Sequence, residues 1–406
     1  MYRYHTLDNG VKVILSPSDS KVTYSGVYIN VGARDEQGLD EGIAHFIEHS
    51  IFKGTTHRKA YHILNRIDGV GGELNAFTTK EETCIYASSL SQHLERCIEL
   101  FSDILFYSTF PDKEIEKEQD VVLEEINSYS DSPSELIYDQ YEELAFAGHS
   151  LSHNILGSKR NVRHFTPQQI RRFMAGRYVP QRMVVSVVGN INFDDLVKMC
   201  EKHFGHHEQQ ASVIDRSTHP QFQIFDKQVN RHTHQAHLLT GCEAPNIYSN
   251  QRAAFSLINN ILGGPAMNSW LNVSIRERYG FCYTIESQYV PFSDTGLFYI
   301  YAGIDHESVD KTRMLVAEQL RRIAETPLTP TQLRQAKLQM IGQMAITNDT
   351  GLNEMQSIGK AYLNYDKVDS LEEMATDINS LSASDIQNVA QQYFSPALFS
   401  TLTYTH

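Results

Sequence analysis

The chain has few of the residues that would mark a disulfide-rich, membrane-spanning or nucleic-acid-binding protein. Its five cysteines are scattered over 406 residues without a C-x-x-C pair, so neither a disulfide framework nor a cysteine zinc site is predicted. No run of about 18 apolar residues occurs, which excludes an ordinary membrane-spanning helix. Acidic residues outnumber basic ones by 49 to 35, and this balance argues against a nucleic acid partner.

The first residues and the length of the sequence give expectations about the compartment of the protein and its number of domains. The first residues, MYRYHTLDNGVKVIL, have no charged segment followed by an apolar one, so we expect a cytoplasmic protein unless the sequence is a processed form. A chain of 406 residues is long enough for two domains. We place them at residues 1–205 and 222–406, joined by a polar linker at 206–221.

The most informative segment is the pentapeptide His45-Phe46-Ile47-Glu48-His49. Two histidines four positions apart share one face of an α-helix, where both imidazoles can reach one metal ion. Glu48 brings a carboxylate next to the same point, and this H-x-x-E-H order defines a separate class of zinc peptidases from H-E-x-x-H. About one chain in ten of this composition would contain the pattern by chance, so its surroundings must decide.

Hydrophobic periodicity predicts the elements around this motif. Residues 38–54 have the pattern of a helix, with Asp40 and Glu41 at its start and a buried stripe formed by Ile43, Phe46, Ile47 and Ile51. A second helix is predicted over residues 111–129, with a proline near its start. Strands are predicted over residues 24–33, 83–90 and 183–189.

The second predicted helix offers a further metal ligand. Catalytic zinc normally has three protein ligands, so a third group is needed beside the two histidines. Glu118, Val121, Val122 and Glu125 share one face of this helix, which predicts carboxylates on an apolar surface. The alternative is a helix whose many glutamates simply face water.

The second half of the chain resembles a diverged copy of the first. The block FTPQQIRRFMAGRYVPQ begins at Phe165, and LSASDIQNVAQQYFSPA begins at Leu381. Each block predicts a helix, an aromatic-x-Pro turn and a strand, which favours duplication. The second half has Ile-Leu-Gly-Gly-Pro at 261–265 in place of the zinc motif, so only one half is expected to bind metal.

The segments GIAHFIEHSIFKGT, GGELNAFTTKEETCIYASSL and EKEQDVVLEEI resemble the pitrilysin/insulysin family of zinc peptidases, which includes mitochondrial processing peptidase. The resemblance covers nearly the whole chain and is closest to the two-domain bacterial type. It implies that the third ligand is the glutamate about 76 positions after the second histidine, Glu125, and that Glu118 is an acid just behind the ligands. It also implies that an edge strand containing Asn75, Ala76 and Phe77 pairs with an extended substrate.

The resemblance extends to the second half through SIRERYGFCYTIES. It implies that Arg276 and Tyr283 reach a zinc site and stabilise the oxyanion formed during cleavage. The implied fold is α+β, with two homologous domains, each a mostly antiparallel sheet packed with helices. Because related four-domain chains enclose a chamber, we expect a homodimer whose active sites are shared between chains, or a heterodimer with a paralogue.

The resulting prediction is a zinc-dependent endopeptidase. His45, His49 and Glu125 would bind Zn²⁺, and Glu48 would act as general base. The expected substrates are peptides or unfolded segments, with no nucleic acid or membrane partner. The alternatives are a non-catalytic partner subunit of the same family and a peptide-binding module that does not cut.

Two other histidine groups could also be considered as metal sites. His203, His206 and His207 lie near the predicted linker, and His232, His234 and His237 lie near a predicted strand start. We expect both groups to be solvated rather than metal-binding.

Overall fold

The computed structural model describes residues 1–216 and 218–406, and for Leu39 it describes the backbone alone. The chain forms two compact units, each assembled from three segments. Unit 1 comprises Met1–Asn127, His153–Asp215 and Ala345–Ser370; unit 2 comprises Ser128–Ser152, Arg216–Met344 and Leu371–His406. Within the described residues, no helix combines the length and the apolar character needed to span a membrane.

The strands, in chain order, are β1 (Arg3–Thr6), β2 (Lys12–Pro17), β3 (Val22–Ile29), β4 (Glu73–Thr78), β5 (Thr83–Leu90), β6 (Met183–Gly189), β7 (Asp226–Asn230), β8 (Ala236–Ala244), β9 (Cys282–Pro291), β10 (Gly296–Ile304) and β11 (Ser400–Thr405). The α-helices are α1 (Ile43–Ser50), α2 (Ala60–Asp68), α3 (Leu94–Phe106), α4 (Asp112–Ser130), α5 (Pro133–Ala145), α6 (Lys159–Val162), α7 (Pro167–Met174), α8 (Phe193–Phe204), α9 (Arg252–Gly263), α10 (Val309–Glu325), α11 (Pro330–Thr347), α12 (Gly351–Tyr365), α13 (Leu371–Ser380) and α14 (Ala383–Tyr393).

Unit 1 is built on a six-stranded sheet with the order β1-β2-β6-β3-β5-β4. The apolar strand β6 is buried on both faces, and its alternate residues contribute to different cores. Val185 and Val187 pack with the helices that carry the predicted site, whereas Val184 and Val188 pack against α12. Close contact on that second face depends on Gly359, because a Cβ there would lie 2.6 Å from the ring of Tyr28.

Unit 2 has a five-stranded sheet with the order β7-β11-β8-β10-β9. One face of β8 packs against the larger core of this unit, and the other face packs against α5 through Leu239. Each unit therefore contains a helix from outside the contiguous halves predicted from the sequence: α12 in unit 1 and α5 in unit 2.

The two sheets share one topology. The order β2-β6-β3-β5-β4 in unit 1 matches β7-β11-β8-β10-β9 in unit 2, strand for strand in chain order. In both sheets the first pair is parallel and the remaining pairs are antiparallel. The predicted α+β fold of two homologous, mostly antiparallel domains is confirmed.

Most predicted elements occur with small changes at their ends. The strands at 83–90 and 183–189 have the predicted bounds, and the helix predicted over 111–129 is α4. The helix predicted over 38–54 is shorter, because Gly42 has φ +93° and the chain forms a separate 3₁₀ turn at Gly38–Asp40. Asp40 and Glu41 therefore lie before the helix rather than in its first turn.

Candidate metal centre

Helices α1 and α4 bring three predicted metal ligands to one point. Nε2 of His49 lies 3.3 Å from Oε2 of Glu125, and Nε2 of His45 lies 3.6 Å from the same oxygen. One ligand atom from each residue falls within 4.8 Å of the other two. Two imidazole nitrogens and one carboxylate oxygen in this arrangement form the donor set of a catalytic zinc site. Among the described residues, this is the group with the geometry to bind a metal ion.

The position of α1 is fixed at its first turn by Glu36, which the sequence analysis did not identify. Its carboxylate accepts hydrogen bonds from the backbone N–H groups of Gly42 (2.7 Å) and Ala44 (2.8 Å). Burial raises the pKa of Glu36 well above its usual value, although these hydrogen bonds oppose the shift. The apolar stripe of Ile43, Phe46, Ile47 and Ile51 is buried as predicted, which fixes the rotation of the helix.

Helix α4 supplies Glu118 and Glu125, which lie two turns apart along it. Its buried stripe consists of Ile115, Glu118, Val122 and Ile126. The prediction that Val121 belongs to this face is wrong: the residue is 50% exposed. Glu125 lies at the edge of the stripe, where its carboxylate reaches the histidines while remaining partly accessible to solvent.

The two histidines have opposite protonation tendencies without a metal. Burial, together with the nearby His49, lowers the pKa of His45 to about 4. Burial also disfavours the charged form of His49, but hydrogen bonds to Glu118 and Glu125 outweigh it and raise the pKa of His49 to about 9. The hydrogen bond from His49 lowers the pKa of Glu125, which keeps this ligand ionised.

Glu48 lies on α1 between the two histidines and is half-buried. Burial raises the pKa of its carboxyl group, and the neighbouring negative charge of Glu125 acts in the same direction. A raised pKa makes the carboxylate a stronger base than an ordinary glutamate, which suits a group that accepts a proton from water and later returns it.

Glu118 supports His49 from behind, and Lys53 supports Glu118. Nδ1 of His49 lies 3.0 Å from Oε1 of Glu118, so the ring N–H donates to the carboxylate and Nε2 points toward Glu125. Nζ of Lys53 lies 2.7 Å from the other oxygen of Glu118. The sequence analysis did not identify Lys53, which lies in the turn after α1 rather than on the helix itself.

The predicted substrate strand lies at an edge of the sheet in unit 1. Strand β4 pairs with β5 on one side and ends the strand order on the other. Asn75 is exposed, whereas Ala76 and Phe77 are half-buried, and the Phe77 ring packs 6.1 Å from the rings of Tyr28 and Tyr86. Strand β4 also packs against α1, so its edge lies near the candidate metal centre.

Arg276 and Tyr283 lie in unit 2, where they line one cavity of about 550 Å³. Arg276 belongs to a π-helical segment, Asn272–Glu277, a rare geometry that occurs often at functional sites. Its guanidinium lies 5.7 Å from the centre of the Tyr283 ring and donates to the side chain of Asn272. Tyr283 is 79% exposed, so it is not a core residue of its strand.

The expectation that the other histidine groups are solvated is wrong for two residues. His207 is buried and stacks on Phe106 with ring centres 3.7 Å apart. His237 is buried beside the hydroxyl of Tyr301, at 2.9 Å. Both have local packing roles, and neither group forms a metal-binding cluster among the described residues.

Comparison with known proteins identifies the family to which the chain is related. Residues 12–159 match the family model for insulinase (peptidase family M16), and residues 164–340 match the model for the peptidase M16 inactive domain. A Bacillus subtilis protein named uncharacterized zinc protease YmxG is 32% identical over 97% of this chain and 96% of its own length. An uncharacterized zinc protease of Mycobacterium tuberculosis is also 32% identical, over 97% of this chain and 91% of its own.

Solved structures show the same fold over the full chain. The crystal structure of a protease from Helicobacter pylori has a TM-score of 0.90 at 22% identity, covering 100% of both chains. A peptidase M16 inactive domain structure from Pseudomonas fluorescens has a TM-score of 0.91 at 18% identity, covering 100% of this chain and 97% of the other. Family models match both halves of the chain, and relatives that are 32% identical match nearly its whole length. This chain therefore belongs to the insulinase family of peptidases, family M16.

Proposed function

We propose that this protein is a zinc-dependent endopeptidase that hydrolyses peptides or unfolded protein segments. The observation that carries the proposal is the convergence of His45, His49 and Glu125, with Glu48 between the histidines on the same helix. The names of its relatives, zinc proteases, support the same activity and the same metal.

The donor set suits zinc. Neutral imidazoles and a carboxylate are zinc ligands, and three protein ligands leave a position for water or substrate. When bound, zinc would act as a Lewis acid: it would lower the pKa of a bound water molecule to about 7 and polarise a peptide carbonyl. The buried Nδ1 of His45 has no hydrogen-bond partner among the described residues, whereas Nδ1 of His49 is held by Glu118.

Glu48 would carry the proton during hydrolysis. Its raised pKa allows the carboxylate to accept a proton from the attacking water and then deliver it to the leaving amine. The edge of β4 would hold the substrate as an added antiparallel strand through main-chain hydrogen bonds. Recognition through the backbone requires an extended segment, so folded proteins would be poor substrates.

Arg276 and Tyr283 would stabilise the oxyanion, and we propose that they do so in the partner subunit of a homodimer. The exposure of Tyr283 and the shared cavity leave both side chains available to a second molecule. In such a dimer, substrates would be cleaved inside an enclosed chamber.

The proposal is tested with a quenched fluorescent peptide library and the Glu48→Gln variant. The zinc-loaded protein should cleave, a chelator should stop cleavage, and Glu48→Gln should lower turnover by about 10²-fold or more with zinc still bound. Near-normal turnover by the variant would show that Glu48 is not the base. Peptide binding without cleavage by the zinc-loaded wild type would favour a non-catalytic subunit or peptide-binding module instead.

A further inference from the structure

A chain of three polar side chains extends outward from one side of the candidate metal centre. His49 donates through Nδ1 to Oε1 of Glu118 at 3.0 Å, and Lys53 contacts Oε2 of Glu118 at 2.7 Å. The two oxygens of one carboxylate are thus engaged by two different partners. This leaves Nε2 of His49 directed at Glu125, on the metal side of the ring.

The carboxylate of Glu118 needs both partners because it is removed from water. The residue is 4% exposed, and burying an ionised carboxylate is costly unless it is paired and hydrogen-bonded. A histidine bound to a metal ion through one nitrogen is neutral, and its N–H is then a weaker partner for a carboxylate than an ammonium group. Lys53 therefore provides the charged contact that holds the buried Glu118 carboxylate in place.

The backbone places Lys53 for this contact. It lies three residues beyond the end of α1 at Ser50, and its N–H donates to the carbonyl of Ser50 at 3.1 Å, so a tight turn connects the lysine to the helix that carries His49. Lys53 and His49 contact the two oxygens of the same Glu118 carboxylate. A displacement of the Glu118 carboxylate would change the hydrogen bond that orients His49.

The other histidine has no such support. Nδ1 of His45 is buried without a hydrogen-bond partner among the described residues. Of the two histidines, only His49 therefore has its Nδ1 held by a hydrogen bond to a side chain of the described residues. Partners of this kind orient metal-binding histidines and raise their basicity.

We propose that Lys53 is a positioning residue of the zinc site. Its ammonium group holds Glu118 in the orientation that accepts the Nδ1 proton of His49, and it thereby fixes Nε2 of His49 as a ligand. The inference rests on the proposed function only in that zinc is the metal bound by His45, His49 and Glu125. Substrate cleavage is not required to test it.

The test compares Lys53→Met and Lys53→Arg with the wild type in the full-length protein. Zinc affinity is measured by competition with a fluorescent chelator, and the thermal midpoint is measured on the metal-free protein. Removal of a direct partner of a metal-binding histidine costs about 10- to 100-fold in metal affinity, and Lys53 acts through such a partner, so Lys53→Met should weaken zinc binding by up to about 10-fold. Lys53→Arg keeps the charge and should restore most of the affinity.

A matched control comes from another lysine–glutamate pair in unit 1. Lys360 contacts the buried Glu82 at 2.6 Å, and the Glu82 side chain is as buried as that of Glu118. Lys360→Met should leave zinc affinity unchanged, even if it lowers the thermal midpoint as much as Lys53→Met does. Equal loss of zinc affinity in both variants would assign the effect to general destabilisation and overturn the proposal.

Wild-type zinc affinity in a folded Lys53→Met protein would also overturn it. If Lys53→Met does not fold, Lys53→Gln takes its place: it keeps a neutral donor and should weaken zinc binding several-fold. An unchanged affinity in Lys53→Gln would then count against the role of the charge. Failure of the wild type itself to bind zinc would instead contradict the proposed function.

Discussion

Nε2 of His49 and Oε2 of Glu125 lie 3.3 Å apart, although they belong to different helices separated in sequence by α2, the β4–β5 hairpin and α3. Loss of this carboxylate should remove one of three zinc ligands. Glu125→Gln is expected to weaken zinc binding by more than about 100-fold, since even loss of a supporting partner costs about 10- to 100-fold. Chelator competition measures the effect.

Glu124→Gln provides the control for this variant. The side chain of Glu124 is exposed on the same helix, so its replacement removes the same charge without touching the site. Zinc affinity of Glu124→Gln should equal that of the wild type. If Glu125→Gln behaved in the same way, the third ligand would have to be a different residue.

The edge position of β4 leads to a prediction about substrate. An added antiparallel strand uses the N–H groups of alternate residues, because successive residues face opposite directions. N-methylation at successive positions of a cleaved peptide should therefore raise KM at every second position near the scissile bond and have little effect between them. Steady-state kinetics on the methylated series measures this, and uniform effects at all positions would exclude strand pairing.

Sharing of Arg276 and Tyr283 between subunits can be tested by complementation. Glu48→Gln and Tyr283→Phe chains are each expected to be nearly inactive alone. After subunit exchange, hybrid dimers should contain one site with both groups intact, so an equal mixture should recover about a quarter of wild-type activity.

The control for complementation mixes each variant with a chain that carries both substitutions. No site in those hybrids combines Glu48 with Tyr283, so activity should not rise. Absence of recovery in the first mixture, with subunit exchange demonstrated by mass spectrometry, would show that the tyrosine does not act in trans.

Close packing of two glycines at the start of α1 should control the position of the site. A Cβ on Gly42 would lie 2.6 Å from Cα of Gly157, and Gly42 has φ +93°. Gly42→Ala should destabilise unit 1 by about 1–2 kcal/mol from backbone strain and by a further 1–3 kcal/mol from the clash. Zinc affinity should fall with it, because the clash displaces the first turn of α1.

Gly71→Ala separates the two contributions. Gly71 has φ +75°, but a Cβ there would meet no atom within 4 Å, so only backbone strain applies. Stability is measured by urea denaturation followed by circular dichroism, and zinc affinity by chelator competition. Gly42→Ala should have a clearly lower stability and a clearly lower zinc affinity than Gly71→Ala. Equal effects of the two variants would show that contact with Gly157 is unimportant.

The sequence predicts the parts of the site that depend on local spacing. His45, Glu48 and His49 follow from one helical turn, and the apolar stripe of α1 follows from periodicity. Glu125 could be selected from the many acids of α4 only through the family resemblance. Glu36 contacts backbone N–H groups of α1, and Lys53 contacts the side chain of Glu118 on α4. Both contacts form only when the chain folds, so the H-x-x-E-H motif does not predict them.

The sequence also did not predict that α5, from the first half of the chain, belongs to unit 2 and that α12, from the second half, belongs to unit 1. Each helix has an apolar face, but such a face fits either of two sheets with the same topology. The repeat suggested contiguous halves, because similarity along the chain reports duplication and not which sheet a helix covers. In unit 1, the absence of a side chain at Gly359 allows α12 to pack closely on Tyr28.

His207 should make the stability of unit 1 sensitive to acid. Burial and the neighbouring His206 lower the pKa of His207 from 6.5 to about 4 in the folded chain. As the pH falls from 6.5 toward 4, the unfolded chain binds a proton that the folded chain does not, so stability falls with pH over this window. Above it both states are neutral, and below it both are charged.

Replacing His207 with phenylalanine keeps a ring that can stack on Phe106 and removes the titrating group. The urea midpoint of unit 1, followed by circular dichroism at pH 5 and pH 7.5, should then depend less on pH than in the wild type, by up to about one proton in the linkage slope. The variant and the wild type should differ by a constant amount above pH 7. A constant difference that persisted down to pH 5 would show that the pKa of His207 is the same in the folded and the unfolded chain.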